Sequence, residues 1–209
     1  MSGEGAKGRP PSRVRSAGTK ARTRAGRTRE TRAELERKLA EALEQQTATS
    51  EVLQVISASP GELQPVFEAM LANATRLCGA SFGNLLLYEG DAFRFVAFHN
   101  TPAAFVAEGK RAPIRPGPNT GLGRAARTKQ VIHVADLTAD SAYAERDPLR
   151  VATVEILGAR TLLAVPMLKE DELVGVIIIY RQEVRPFTDK QIELVSNFAR
   201  HWADARSIS

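Results

Sequence analysis

The chain has 209 residues, 43% of them hydrophobic and 25% charged, with one cysteine and a formal charge of +5. That length suits one domain plus appendages and leaves too little chain for two full domains. A single cysteine excludes an internal disulfide and fits a reducing, cytoplasmic compartment. The apolar run from Val174 to Tyr180 is far shorter than the roughly 20 residues a membrane span requires, so no membrane segment is expected.

The positive charge is segregated. Residues 1–32 carry +8, with Lys7, Arg9, Arg13, Arg15, Lys20, Arg22, Arg24, Arg27, Arg29 and Arg32 opposed only by Glu4 and Glu30, and the rest of the chain is mildly acidic. Nucleic-acid binding therefore cannot be inferred for the folded part. Residues 1–30 hold almost no aliphatic side chains and are expected to be a disordered basic tail. Such a tail is either a loose contact for nucleic acid or anionic lipid, or a solvated leader.

Over residues 31–58 helix formers take over, and Leu35, Leu39, Ala42, Gln46, Thr49, Leu53 and Ile56 recur at steps of four and three. That is a heptad seam, with Gln46 and Thr49 as polar layers able to set register. A coiled coil is expected here, a lone amphipathic helix being the alternative. Ser59-Pro60-Gly61-Glu62 reads as a capping box that restarts the helix. Leu63, Val66, Phe67, Met70, Ala74, Leu77 and Cys78 then share one face, which predicts a helix packed on a core and ended by Gly79.

Two hairpins follow. Phe82 to Glu89 and Asp91 to Asn100 flank Glu89-Gly90-Asp91, and Arg160 to Lys169 and Glu172 to Arg181 flank Glu170-Asp171. The near-continuous apolarity of the second pair predicts cover on both faces, and Pro166 places its strand at an edge or bulge. The insert between the hairpins predicts short helices over Thr101 to Lys110 and Thr120 to Gln130, a brief strand at Val131 to Val134, and a helix from Asp147-Pro148 to before Gly158. A last helix is announced by a capping box between Thr188 and Gln191 and a staple between Phe187 and Ile192; its face continues through Val195, Phe198 and Trp202.

Few residues suggest chemistry. Gly121, Gly123 and Ala126 match G-x-G-x-x-[G/A], but the dinucleotide fingerprint needs a strand just before it, where Pro113, Pro116 and Pro118 stand instead. A helix starting at Thr120 would still point free N–H groups at whatever precedes it. His99, His133 and His201 fall in no metal-ligand spacing, and His133, between Ile132 and Val134, reads as a hydrogen-bonded structural histidine. Cys78 lies on a packed helix face and reads as inert. No nucleophile elbow or carboxylate pair is visible, and no catalytic residue is assigned.

The order of these elements, with TGLGRAARTKQVIHVADL (Thr120 to Leu137), ARTLLAVPMLKEDELVGVIIIYR (Ala159 to Arg181) and RPFTDKQIELVSNFA (Arg185 to Ala199), resembles a GAF domain from about Ser50 to Ala199. Leu43 to Leu71 is similar to the linker and first helix ahead of GAF domains in bacterial sensor histidine kinases and some nucleotide cyclases. The resemblance implies an α+β fold with an antiparallel sheet of about six strands and helices on both faces. It implies a homodimer through residues 31–58, a small-molecule ligand of unknown identity, and a separate kinase or cyclase output partner. The domain is expected to span 59–199, ahead of a polar end at 200–209.

By the same resemblance, the pocket lies between the sheet and the insert Thr101 to Gly158. Its candidate ligand-binding residues are Asn84, Leu86, Phe98, His99, Thr120, Leu122, Asp136 and Tyr143. Strand parity puts Asn84, Leu86 and Tyr88 on one face and Leu85 and Leu87 on the other. No covalent bilin or haem is expected, because Cys78 sits on the first packed helix and not in the pocket region. One cysteine cannot supply the chemistry of the free methionine sulfoxide reductases of this fold. The expected role is a sensory module; the alternative is a structural dimerisation module whose basic tail contacts nucleic acid.

Overall fold

The computed structural model describes residues 32–40, 43, 47 and 63–205. The basic tail, most of the heptad seam and the capping box at Ser59 to Glu62 lie outside the described residues. Residues 32–40 are helical, and Leu35, Leu39 and Leu43 expose half or more of their surface. The chain divides into two units, residues 1–38 and 39–209, and the second carries the sheet.

Helix α1 (Leu63–Cys78) buries Val66, Phe67, Met70, Ala74 and Cys78 of the expected stripe and Leu71 besides, with Leu77 half-buried at its border. Gly79 ends it at φ +54°, and the next N–H, that of Ala80, donates to the Thr75 carbonyl at 2.8 Å. Strands β1 (Phe82–Glu89) and β2 (Ala92–His99) form the first hairpin, and β4 (Thr161–Lys169) and β5 (Glu172–Arg181) the second. Between them lie α2 (Ala103–Gly109), α3 (Gly121–Thr128), β3 (Ile132–Val134), a 3-10 turn (Leu137–Ala139), α4 (Ser141–Ala144) and α5 (Pro148–Glu155); α6 (Asp189–Ala205) closes the fold.

The sheet is antiparallel with the order β2-β1-β5-β4-β3. Five strands are present among the described residues where about six were expected. A single bridge stands in the missing place, beyond β2: Ile114 and Phe93 exchange N–H···O bonds of 2.7 and 2.8 Å. Toward the β1–β2 turn the next hydrogen-bonding position, opposite Asp91, is Pro116, which has no N–H, so the bridge cannot extend that way; along β2 the next position is Ala112, with which no bridge is formed. Pro166 obeys the same rule. It pairs with Val176 on one side, while β3 reaches only Leu162 to Ala164 on the other, leaving Pro166 on an open edge beside a register shift at Met167/Leu168.

Each sheet face has its own core. On one, Leu85, Leu87, Leu163, Val165, Ile177 and Ile179 meet α1 and α6, with Phe67 and Trp202 rings 5.5 Å apart. On the other, Leu86, Phe93, Phe95, Leu162, Val176, Ile178 and Tyr180 meet Leu122, Leu137 and Leu157 of the insert. Helix α6 starts as its sequence predicts, with the Thr188 N–H donating to Gln191 Oε1 (3.1 Å) and the Gln191 N–H to Thr188 Oγ1 (3.4 Å). The polar end expected from Arg200 is different: the helix runs on to Ala205, and Trp202 and Ala203 are buried against α1.

Arg181, at the end of β5, is 1% exposed and holds three segments together. Its guanidinium donates to the carbonyls of Cys78 (2.5 Å), Arg185 (2.5 Å) and Pro186 (3.0 Å) and to Gln191 Oε1 (3.2 Å), with the Phe187 ring 4.0 Å from its carbon. It thereby ties the C-terminus of α1 to the start of α6. Replacing it with Met would take this donor from the Arg185 and Pro186 carbonyls and leave the Cys78 carbonyl to Gln191 Nε2 alone. Arg181→Met is expected to lower unfolding stability by about 3 kcal/mol, read as a fall in the urea midpoint at unchanged slope, whereas Arg94→Met on the surface should change it by less than about 0.5 kcal/mol.

Candidate ligand-binding site

The insert folds over the sheet because each of its turns is locally capped. Thr120 begins α3: its Oγ1 accepts from the Gly123 N–H (3.0 Å) and donates to the Gly117 carbonyl (2.8 Å). Asp140 caps α4 through the Ala142 N–H (3.2 Å), and Asp147 caps α5 through the Arg150 N–H (3.1 Å), with Pro148 at the first helical position. Gly117 is glycine for a steric reason. A Cβ there would come within 2.1 Å of Asp147 Oδ2, the carboxylate that caps α5.

These elements enclose a cleft of about 300 Å³ between β2 and the insert. Phe95, Phe105, Pro113, Ile114 and Leu149 give it apolar walls, and Glu108, Arg111, Arg115 and Asp147 add charge at its margin. Phe95 is held in an aromatic set, 4.9 Å from Phe98 in a stacked pair and 6.0 Å from Phe105 edge-on. The cleft falls within the segment expected from the resemblance. None of the eight candidate residues lines it.

Asn84 and Leu86 point from β1 to the insert face and are fully buried. Asn84 Oδ1 accepts from Thr101 Oγ1 at 2.8 Å. Leu122 is packed into the same apolar layer, and Phe98 backs the cleft through its stack on Phe95. A bulge explains that last position: Leu85 pairs with Ala97 but Leu86 with Phe95, so Val96 is extra and Phe98 joins Phe93 and Phe95 on one face. His99 ends β2, its pKa lowered by burial. Thr120 is a buried cap whose N–H and hydroxyl both donate to the Gly117 carbonyl. Asp136 accepts a bidentate pair from Arg160 (3.1 and 2.9 Å), which holds its carboxyl well below the usual range. Tyr143 lies beside Arg146 and Glu155 on the outer side of the insert. Only Asn84, Leu86, Phe98 and Leu122 share one apolar layer.

A buried polar group that periodicity does not reveal lies on the insert face. Arg150 of α5 is 2% exposed and donates to Asp140 Oδ1 (3.3 Å), while Arg124 of α3 donates to Asp140 Oδ2 (2.9 Å). Burial lowers the Arg150 pKa and Asp140 partly restores it. Tyr180 is buried beside Asn84 and Arg150, and burial pushes its hydroxyl up to about 12. His133 does what its strand position suggests: its Nε2 accepts from the Phe187 N–H at 3.1 Å, and burial keeps its pKa low. Among the described residues no group of three potential metal ligands is assembled, and no helix is long and apolar enough to cross a membrane.

With the sheet, the insert and the paired helices in place, the comparison with known families is decisive. Residues 62–205 match the model of the GAF domain. The chain belongs to the GAF domain family. GAF domains are sensory and regulatory modules. Among solved structures, this one is similar to the GAF domain of a phosphoenolpyruvate-protein phosphotransferase from Coxiella burnetii, with a TM-score of 0.64 and 16% identity over 79% of this chain and 94% of that one. It is also similar to a domain described as that of a two-component sensor histidine kinase from Sinorhizobium meliloti 1021 (TM-score 0.54, 19% identity, 70% and 92% covered) and to the GAF-B domain of DevS from Mycobacterium smegmatis (0.52, 21%, 70% and 94%). At these identities the likeness establishes the fold. No curated protein matched the chain.

The one cysteine of this GAF domain is inert by position. Burial pushes the Cys78 thiol up to about 12 from 9.0, against a smaller opposing pull from Arg181. The folded state therefore favours the neutral thiol: its contribution is complete below pH 9 and is lost as pH rises from 9 toward 12, by about 1.4 kcal/mol per pH unit. Cys78→Ala should remove that slope. Between pH 8 and pH 10 the variant is expected to lose about 1 kcal/mol less stability than the parent chain in urea titrations; equal losses would refute the assignment.

Proposed function

We propose that this GAF domain is the cytoplasmic input module of a signalling system. A small molecule in the cleft biases the pairing of helices over residues 31–58 in a homodimer, and that pairing instructs a kinase or cyclase output, in a longer relative or a separate partner. One observation carries the reading. The cleft and the two long helices lie on opposite faces of one sheet, and β5 presents Tyr180 to the first face and Arg181 to the second. A ligand that repositions the insert thus acts on the strand whose last residue holds α1, the helix that follows the seam in sequence. Such a ligand shifts the output only by its differential affinity for the two helix arrangements.

Support for pairing comes from the seam, where Leu35, Leu39 and Leu43 are exposed. The likeness to a domain described as belonging to a two-component sensor histidine kinase is in keeping with the role. The cleft suits a ligand with a flat apolar body, received by Phe95, Phe105 and Leu149, and a polar group directed to Arg111, Arg115 or Asp147. The dense self-packing of Leu86, Leu122, Leu162 and Ile178 favours a second reading, a dimerisation module without ligand whose basic tail contacts nucleic acid.

Thermal-shift screening of the full chain against nucleotides, haem, bilins and small acids separates the two. A true cleft ligand is expected to raise the Tm of the parent by about 3 °C or more at saturation and to leave Ala152→Trp, whose ring fills the cleft, unmoved. If no compound stabilises the chain, and salt-sensitive DNA binding vanishes on removal of residues 1–30, the second reading holds. The pairing has its own measurement: Leu35→Lys with Leu39→Lys should convert a dimer to a monomer in light scattering, and a monomeric parent would refute the seam.

A further inference from the structure

The stretch that leads into α6 is fastened residue by residue through its main chain. The Arg185 N–H donates to Thr161 Oγ1 (3.1 Å), the Arg185 and Pro186 carbonyls accept from Arg181, and the Phe187 N–H donates to His133 Nε2 (3.1 Å). Thr161 and Arg181 keep one protonation state between pH 5 and 8, whereas a histidine does not. One tie is therefore titratable. It joins β3 to buried Phe187, the residue just before the Thr188–Gln191 box.

The geometry fixes what protonation does. A backbone N–H only donates, so Nε2 presents its lone pair and the neutral ring carries its proton on Nδ1. A second proton would occupy that lone pair and set two donors against each other. The His133 and Phe187 ring centroids are 5.8 Å apart, and the same Phe187 ring lies 4.0 Å from the Arg181 guanidinium carbon. An imidazolium there would meet a like charge.

The surroundings offer it no compensation. Leu163 is its partner on β4, Arg185 and Glu183 of the loop are paired with each other at 2.6 Å, Asp189 and Lys190 open α6, and Asp136, beyond β3, is held by Arg160. Among the described residues no carboxylate pairs with His133, and burial and Arg181 both lower its pKa. Yet β3 is an edge strand and His133 keeps exposed surface, so a proton reaches it without unfolding.

We infer that His133 is an acid-released latch, whose protonation frees the Phe187 N–H and loosens the start of α6 from β3 while Arg181 keeps α1 fastened to the sheet. The latch belongs to the helix-covered face of the sheet and does not depend on a ligand in the cleft. Its sign follows from the lowered pKa. The folded state favours the neutral ring, so the tie is complete above pH 6.5 and is lost as the pH falls from there through the folded-state pKa.

The experiment follows the Phe187 amide of the isotope-labelled full chain by NMR between pH 7.5 and pH 5. Its protection against hydrogen exchange, corrected for the intrinsic pH dependence, should fall about tenfold, the scale of one lost hydrogen bond. The fall should share its midpoint with the His133 ring, and the amides of β1 and β5 should keep their protection. His133→Gln, which offers an acceptor that does not titrate, should hold the Phe187 amide equally at both ends of the range. His99 and His201 are intact in that variant, so a fall that it retains would overturn the latch. A pH-indifferent Phe187 amide in the parent, or a fall shared by β1 and β5, would do the same. Should His133→Gln fail to fold, the parent decides alone: a proton on Nε2 at pH 7.5, or different midpoints for the ring and the amide, would refute the inference.

Discussion

A buried guanidinium that meets carbonyls in place of a carboxylate governs how this GAF domain is held together. Arg181 is the last residue of a strand whose preceding members, Ile177 and Ile179, are aliphatic and face the same way. Its charge is compensated by the dipoles of Cys78, Arg185 and Pro186, one of which belongs to the last turn of α1, where the helix dipole is negative. Helix α1, the loop into α6 and the sheet all converge on that one side chain. The Thr188–Gln191 box contributes from the other side: Gln191 Oε1 receives Arg181 while Gln191 Nε2 donates to the same Cys78 carbonyl at 3.1 Å. The helices could not shift against the sheet without breaking this set together.

The insert face is organised differently. There the apolar layer is continuous, α3, α4 and α5 are joined through Asp140 and its two arginines, and polar bonds such as Asn84–Thr101, Asp136–Arg160 and Gln182–Leu157 tie the insert to the sheet. Both faces are therefore fixed by buried polar groups as well as by apolar packing, one through Arg181 and the other through Asp140.

Most of the framework was legible in the sequence because it is written in local signals. The hairpin around Gly90, the Glu170-Asp171 turn with both residues at positive φ, the Gly79 stop and the Thr188 box each depend on a few neighbouring residues. What was not legible depends on pairing across the chain. The sixth strand is reduced to the Ile114–Phe93 bridge, and Phe98 changes face because Val96 bulges. The candidate residues are only partly brought together. Resemblance pointed to Asp136 and Tyr143, which lie in surface ion networks, whereas the cleft walls Phe105, Ile114 and Leu149 come from loops without periodicity. For Arg181 there was a signal, since parity places it with Ile177 and Ile179 on a core face; for Arg150 there was none.

The single bridge between Ile114 and Phe93 has a consequence for access to the cleft. The loop that walls it is fastened to the edge of the sheet by two hydrogen bonds, with an Arg115–Asp91 pair outside them, and not by a ladder. Peeling it away leaves β1, β5 and β4 intact, so the free energy of opening is a small part of that of global unfolding. Access to the cleft therefore depends on a local segment and does not require the sheet to unfold.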